Sequence, residues 1–343
     1  MSDISANETR EIIWKLVISY LNIFLYNFMK EKLLYEKPQL EKFESKEEAY
    51  VFEQFHQVNF QIEKIPALYE RLVELNSMPD SHFEDAVMMA KIVDHLWDEL
   101  KNEKDIKLTK DKLKLACLFH DIGKSGPANA ENRKQRFFIE TLFNPRLFNP
   151  KSEKFNGKKV RDLSIEEAID LEDLPEKEEI KEYLETLTLH IWDKEEKKAI
   201  GEGLDLKKPK MIDLWHEHDY WTRDLLRKYS DNQIEIEVAK IASTHHTLDG
   251  HDPEGIDGNA PGESYAVEVI DKYLILTLVD KYQAWVDRSG LPHDKAIEKI
   301  EADIEDSKKK EIINHDGEMY NKFRKYLEIL KKHPEIAEIT QKK

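Results

Sequence analysis

Apolar side chains recur along this chain at intervals of three and four residues, and that spacing commits most of it to helices. Phe52, Phe55, Val58, Ile62 and Ile65 keep the interval ahead of Pro66. Residues that make tight turns are scarce, with 11 glycines and 12 prolines in 343 residues. A sandwich or barrel needs many such turns, so the expected fold class is all-α. Helical stretches are expected at 8–35 and 45–76, from about Ser81 to Asn102, and from Thr109 to Asp121. They resume at Lys210–Tyr229, Ile234–His246 and from Tyr265 to about Asp287, with amphipathic helices on to Lys343. Between Pro127 and about Lys210 the pattern loosens, and Asn144-Pro145, Asn149-Pro150 and Asn156-Gly157 mark turns. The acidic run from Glu166 to Glu185 reads as a solvated face.

The net charge of −17 repels polyanions, which argues against polymeric nucleic acid and anionic lipid as partners. A small phosphorylated ligand would need positive charge placed locally. The single cysteine, Cys117, lies in an apolar stretch and fits a reducing, cytoplasmic setting. Ile12 to Met29 is rich in apolar residues, but Lys15, Ser19, Asn22 and Asn27 interrupt it. That polar stripe suits an amphipathic packing helix rather than a transmembrane segment, and makes a homodimer through the N-terminal helices an expectation.

Two carboxylates stand out. Asp121 follows Leu115-Ala116-Cys117-Leu118-Phe119-His120, and Asp280 follows the uncharged run Tyr273 to Val279. Both are expected to be buried, and an unpaired buried carboxylate costs at least several kcal/mol, roughly, unless a cation offsets it. Histidines recur at helix ends and within helices: His82, His120, His216, His218, His245 and His246. Imidazoles and carboxylates together suit divalent transition metals with positions left open for water and substrate.

The ordered set His82, His120-Asp121, Asp280 resembles the HD superfamily of metal-dependent phosphohydrolases, whose pattern is H…HD…D on helices. His120-Asp121-Ile122-Gly123-Lys124 is similar to the HDIGK of its HD-GYP class. His218 through Leu225-Leu226, the pair His245-His246, Asp249-Gly250 and the segment Pro253 to Gly258 resemble further segments of that class. The likeness covers roughly residues 80–300, broken by a long insertion. It implies an HD-domain helical bundle at 77–310 with the insertion at about 127–210, an N-terminal helical region 1–76 and a C-terminal extension 311–343.

The resemblance also implies roles. His82, His120, Asp121 and Asp280 would hold one metal. Asp121 would bridge to a second, held by His218 and His245 with His246 close by. Since adjacent helical residues diverge by about 100°, His120 and Asp121 would serve two metals only if the site straddles their helix. Lys124 and Arg288 would contact the substrate. His82 is preferred to His95 by the apolar rhythm of Val87, Ala90 and Val93, and His218 to His216 by its spacing to Leu225-Leu226. His95, His190, His216 and His293 read as ordinary surface or core histidines, and Arg133, Lys134 and Arg136 as a solvated face. The implied activity is hydrolysis of a nucleotide phosphoester by water activated on two divalent ions, with Fe, Mn, Ni or Co the expected metals.

Departures bear on the substrate. His251-Asp252-Pro253 stands where the class has its GYP tripeptide, Thr247 follows the histidine pair, and Gln283 replaces a second aspartate. Met78 occupies the position of a third-metal glutamate, so two metals are expected. A cyclic dinucleotide such as cyclic di-GMP is therefore one expectation. A nucleotidase, a cyclic mononucleotide phosphodiesterase or a silent nucleotide sensor are the alternatives.

Overall fold

The computed structural model describes residues 43–340 except 79–80, 103–108, 145, 150–151, 156, 173, 175, 188, 191–207, 231–232, 251–266, 311 and 314–317. The expected helix at 8–35, the dimerisation it suggested, and the segment His251 to Gly258 lie outside the described residues. Residues 1–50 and 51–343 separate as two compact units. Of the first, the described part is 43–50, where helix α1 (Lys46–His56) begins.

The fold is all-α, with thirteen α-helices among the described residues. After α1 come α2 (Pro66–Ser77), α3 (His82–Leu100), α4 (Lys110–Phe119), α5 (Arg133–Phe143), α6 (Ile165–Leu171) and α7 (Lys177–Glu185). The second half holds α8 (Met211–Arg227), α9 (Ile236–Ala242), α10 (Val267–Gln283), α11 (His293–Lys309), α12 (Glu318–Lys331) and α13 (Ile336–Thr340). A two-stranded antiparallel hairpin, Glu153–Phe155 with Lys158–Lys159, is the sheet among the described residues. No helix of the described residues is long and apolar enough to cross a membrane.

The stretch 45–76, expected as one helix, is two. Asn59 adopts a left-handed φ of 57°, and Pro66 opens α2 at a position where its missing N–H costs nothing. The chain turns back between them, and Phe55 packs on Phe119 and Phe83 with ring centroids 4.9 and 6.1 Å apart. These rings anchor the end of α4 and the start of α3, the two places that present His120 and His82. Fully burying each contributes roughly 1.5–3 kcal/mol. Side-chain caps from Ser81 and Thr109 fix where α3 and α4 begin.

The insertion is ordered by its own apolar cluster. Phe138, Leu142, Phe148, Leu163 and Ile169 pack with Met211, Leu214 and Trp221 of α8. The acidic run lies on α6 and α7, where Glu179 pairs with Lys134 and Asp170 with Lys181. Arg136, expected on a solvated face, is instead buried and forms a two-pronged ion pair with Glu74, at 2.6 and 2.8 Å. Its spacing from Ile139 and Phe143 puts it on the packed side of α5, where only a paired guanidinium is stable.

Candidate metal centre

Helix α4 stops at Phe119. His120 keeps helical angles, but Asp121 has φ −99° and ψ 8°, and a 3-10 turn follows at Ile122–Ser125. Despite the divergence expected of adjacent residues, His120 Nε2 and Asp121 Oδ2 meet at 3.4 Å, so both side chains reach one centre. Gly123 is what lets this turn lie against α8. A Cβ there would sit 2.0 Å from the His218 carbonyl oxygen and 2.7 Å from the Thr222 nitrogen, so no other residue fits. The Gly123 N–H donates to Thr222 Oγ1 at 3.0 Å, and that hydroxyl donates to the His120 carbonyl at 2.9 Å. Turn and helix are thereby locked in register.

Three histidines are oriented alike. His120 Nδ1 lies 2.8 Å from the Cys117 carbonyl and His245 Nδ1 2.9 Å from that of Ala242, while His218 Nδ1 meets the Trp215 carbonyl. Each ring thus has its Nδ1–H bound by the backbone three residues earlier, and its Nε2 points inward as a lone-pair donor. The donors converge closely. His218 Nε2 is 3.0 Å from His245 Nε2, 3.2 Å from Asp121 Oδ1 and 3.1 Å from Asp219 Oδ1. His245 Nε2 is 3.3 Å from Asp219 Oδ1 and 3.6 Å from Asp121 Oδ1. Ligand atoms about 2.1 Å from one shared ion stand roughly 3–3.4 Å apart, so the spacings of His218 and His245 to each other and to the two carboxylates are close to the edges of a coordination shell.

Asp219 was absent from the expected ligands. It is fully buried, and neither of its oxygens takes a hydrogen bond. Burial drives its carboxyl well above the ordinary range, with His245 pulling the other way. Burial lowers His245 as well, but Asp219, Asp121 and Asp280 outweigh it and raise it to about 9. The pair therefore retains a proton at neutral pH that a bound cation would displace. The spacing of Asp219 to Thr222 and Leu226, both buried, was the available signal. Its charged neighbours Glu217, Arg223 and Asp224 hid it.

The other half of the centre is looser. His120 Nε2 lies 3.4 Å from Asp121 Oδ2 and 3.9 Å from Asp280 Oδ1, and His82 Nδ1 lies 3.9 Å from Asp121 Oδ2. Lys124 Nζ sits among them, 2.5 Å from Asp121 Oδ2 and 3.3 Å from His82 Nδ1. Burial keeps His82 and His120 low, and pushes His218 down to about 4, so all three are neutral imidazoles at pH 7. Burial favours the neutral acid at Asp121, but His120, Lys124 and the flanking histidines hold it well below the carboxylate range. His246 stands beside the tight half, its Nδ1 2.9 Å from Asp249 Oδ2, which is itself paired with Lys281.

The structure thus brings His82, His120, Asp121, His218, His245, His246 and Asp280 into one neighbourhood and adds Asp219. Two overlapping groups within it, His218-Asp219-His245-His246 and His120-Asp121-His245, each lie close enough together to hold a metal ion. A cleft of about 780 Å³ opens onto it, lined by Lys124, Arg288, Phe143, Phe148, Trp215 and Trp285 among others. Arg288 projects from a π-turn (Ala284–Arg288) that continues α10, with Nε 3.6 Å from Asp85 Oδ2. Gln283 is buried and donates to Asp85 Oδ1 at 2.8 Å. The remaining histidines have other partners. His293 contacts the Tyr282 hydroxyl at 2.9 Å, His190 joins Glu217 and Asp224, and His95 meets Glu335. His216 lines the cleft without a place among the converging atoms. No family model, curated protein or solved structure matches this chain.

Proposed function

We propose that this chain is a metal-dependent phosphohydrolase of HD type that cleaves a phosphoester of a nucleotide. The observation that carries the reading is the convergence of His218, His245, Asp121 and Asp219 at coordination-shell spacing, with Asp219 buried and unsatisfied. His218, His245, Asp121 and Asp219 would hold one divalent transition ion, and His82, His120, Asp280 and again Asp121 another. Such ions supply Lewis acidity and make a coordinated water acidic enough to act near neutral pH.

The chain's own residues do the rest. The Nε2 atoms of His120 and His218, fixed by their carbonyl partners, need no reorientation to act as ligands, and that of His245 needs only to give up its proton. Lys124 pairs with Asp121 at the edge of the cleft, where it would contact substrate phosphate oxygens if a bound cation took over that pairing. Arg288, at the cleft and held by Asp85, supplies a second anion contact. Phe143, Phe148, Trp215 and Trp285 give the cleft apolar walls suited to a planar base, and its volume is that of a nucleotide site. No serine or thiol nucleophile is required. Cys117 is fully buried, and burial pushes its thiol up and out of use.

The test is metal analysis of anaerobically purified protein, coupled to a panel of cyclic dinucleotides, cyclic mononucleotides and nucleoside mono- and triphosphates. About two equivalents of Fe, Mn, Ni or Co are expected, with turnover of one substrate class. Asp121→Ala should lower that turnover by at least about 10²–10³-fold. Protein free of these metals whose turnover is indifferent to Asp121→Ala would sink the reading. Tight nucleotide binding without turnover under added Mn²⁺ or Fe²⁺ would replace it with the sensor.

A further inference from the structure

A second group of metal-binding side chains lies far from the cleft. His95 sits on α3 thirteen residues beyond His82, about 20 Å along the helix. Opposite it, the segment His333-Pro334-Glu335 joins α12 to α13. His95 Nε2 and His333 Nδ1 each stand 2.8 Å from Glu335 Oε1, and the two imidazole rings meet edge-on with centroids 5.5 Å apart. The other nitrogen of His333, Nε2, is 2.7 Å from Glu99 Oε1, one helical turn beyond His95. We propose that His95, His333 and Glu335 form a separate surface site for a divalent ion of zinc type, which ties the C-terminal helix to α3.

Three observations carry it. The donor atoms come from two elements yet lie within 4.8 Å of one another, a tripod of two imidazoles and a carboxylate with room for water as a fourth ligand. Glu99 stands behind His333 as an outer carboxylate, binding the nitrogen away from the tripod and leaving Nδ1 to face it. Pro334 fixes the backbone between the two ligands of the loop, so their relative placement is set in advance. Opening the present contacts from 2.8 Å to the roughly 3.4 Å edge of a tetrahedral shell needs a movement of about half an ångström, within the reach of half-exposed side chains.

The site would act on stability. Ile336 and Thr340 of α13 are fully buried, and α13 packs on α3. An ion bridging His95 to His333 and Glu335 adds a cross-link at the open end of that contact, and binds the folded state alone. Imidazole donors select Zn²⁺, Ni²⁺ or Cu²⁺ over Mg²⁺ and Ca²⁺.

Equilibrium dialysis against Zn²⁺, with bound metal counted per chain, separates this site from the buried centre. Asp121→Ala should disrupt the centre and keep one zinc at the surface. Adding His95→Gln or His333→Gln to that background should remove it, and Glu99→Gln should weaken it about 10–100-fold. Zn²⁺ should raise the unfolding temperature of Asp121→Ala but not of Asp121→Ala/His333→Gln, and Mg²⁺ should raise neither. Equal zinc content with and without His95→Gln and His333→Gln overturns the proposal, as does an equal thermal shift. Glu335→Gln, which preserves the size of an exposed side chain, repeats the measurement should either histidine variant fold poorly.

Discussion

Two charged neighbourhoods adjoin the turn at Ile122–Ser125, and they differ in how they are satisfied. Behind it, Arg71 is buried, and its guanidinium donates to the carbonyls of Ser125, Gly126, Pro127 and Ala130 and to Ser125 Oγ, all at 2.7–3.1 Å. Arg136 and Glu74 complete each other beside it. Glu140, also buried there, is pushed by burial up to about 8 and so is neutral at pH 7. In front, Asp219 and His120 Nε2 are buried without hydrogen bonds, and imidazole nitrogens face one another at 3.0 Å. In the first the guanidinium groups are paired and the orphan Glu140 Oε1 belongs to a neutral acid; in the second the orphans are the atoms that a cation would take. Buried polar groups without partners destabilise, so they persist where a ligand offsets them.

The sharpest way to break this comparison is Arg71→Met. Removing the guanidinium strands the carbonyls of Ser125, Gly126 and Ala130 in the interior, while that of Pro127 keeps the Ala130 N–H, with an expected loss of about 3–5 kcal/mol in urea unfolding. Because those carbonyls belong to the loop that ends the turn carrying Asp121 and Lys124, affinity for metal should fall as well. A loss under about 1 kcal/mol would mean that the loop holds itself and that Arg71 is incidental.

Asp219→Asn should act in the opposite sense. In EDTA it replaces a buried carboxyl that shares a proton with His245 by an amide that carries no charge at any pH, so the ion-free protein should gain about 1–3 kcal/mol at alkaline pH, where that proton is lost, while losing affinity for metal. A gain in stability joined to a loss of function separates the second neighbourhood from the first more cleanly than activity alone. Unchanged stability with unchanged metal content would show that Asp219 is satisfied by ordinary solvent, and the contrast would collapse.

The second neighbourhood was partly legible from sequence because its burial is local. Asp121 and Asp280 each follow an uninterrupted apolar run, so their inward position could be read from a few neighbours. Asp219 could not, since Glu217, Arg223 and Asp224 around it look like a solvated face and only Thr222 and Leu226 hint otherwise. Arg71 and Arg136 were illegible for a different reason. Their partners lie 54 to 62 residues away, and nothing in a single sequence announces such pairings. The break between α1 and α2 was missed because Ile62 and Ile65 keep the helical interval while the chain turns at Asn59. The all-α class needed only periodicity and the scarcity of turn residues, which tertiary contacts do not alter.

His190 lies between the two cases and gives the smallest expected effect. Its Nδ1 and Nε2 meet Glu217 Oε1 at 2.5 Å and Asp224 Oδ2 at 3.3 Å, and its ring stacks on Tyr220, all three on one side of α8. Hydrogen bonds to Asp224 and Glu217 raise its pKa to about 9, above the ordinary 6.5. A raised value means the stabilisation is fully present below about pH 6.5 and is lost as pH climbs through about 9. With a third of the side chain exposed, solvent screening keeps the gain under about 1 kcal/mol. Denaturant melts at pH 6, 8 and 10 should show this alkaline loss in the parent and not in His190→Gln, and the imidazole resonance should titrate near 9. A His190 that titrates near 6.5 would mean that Glu217 and Asp224 do not hold its proton, and the melts should then show no alkaline loss to remove.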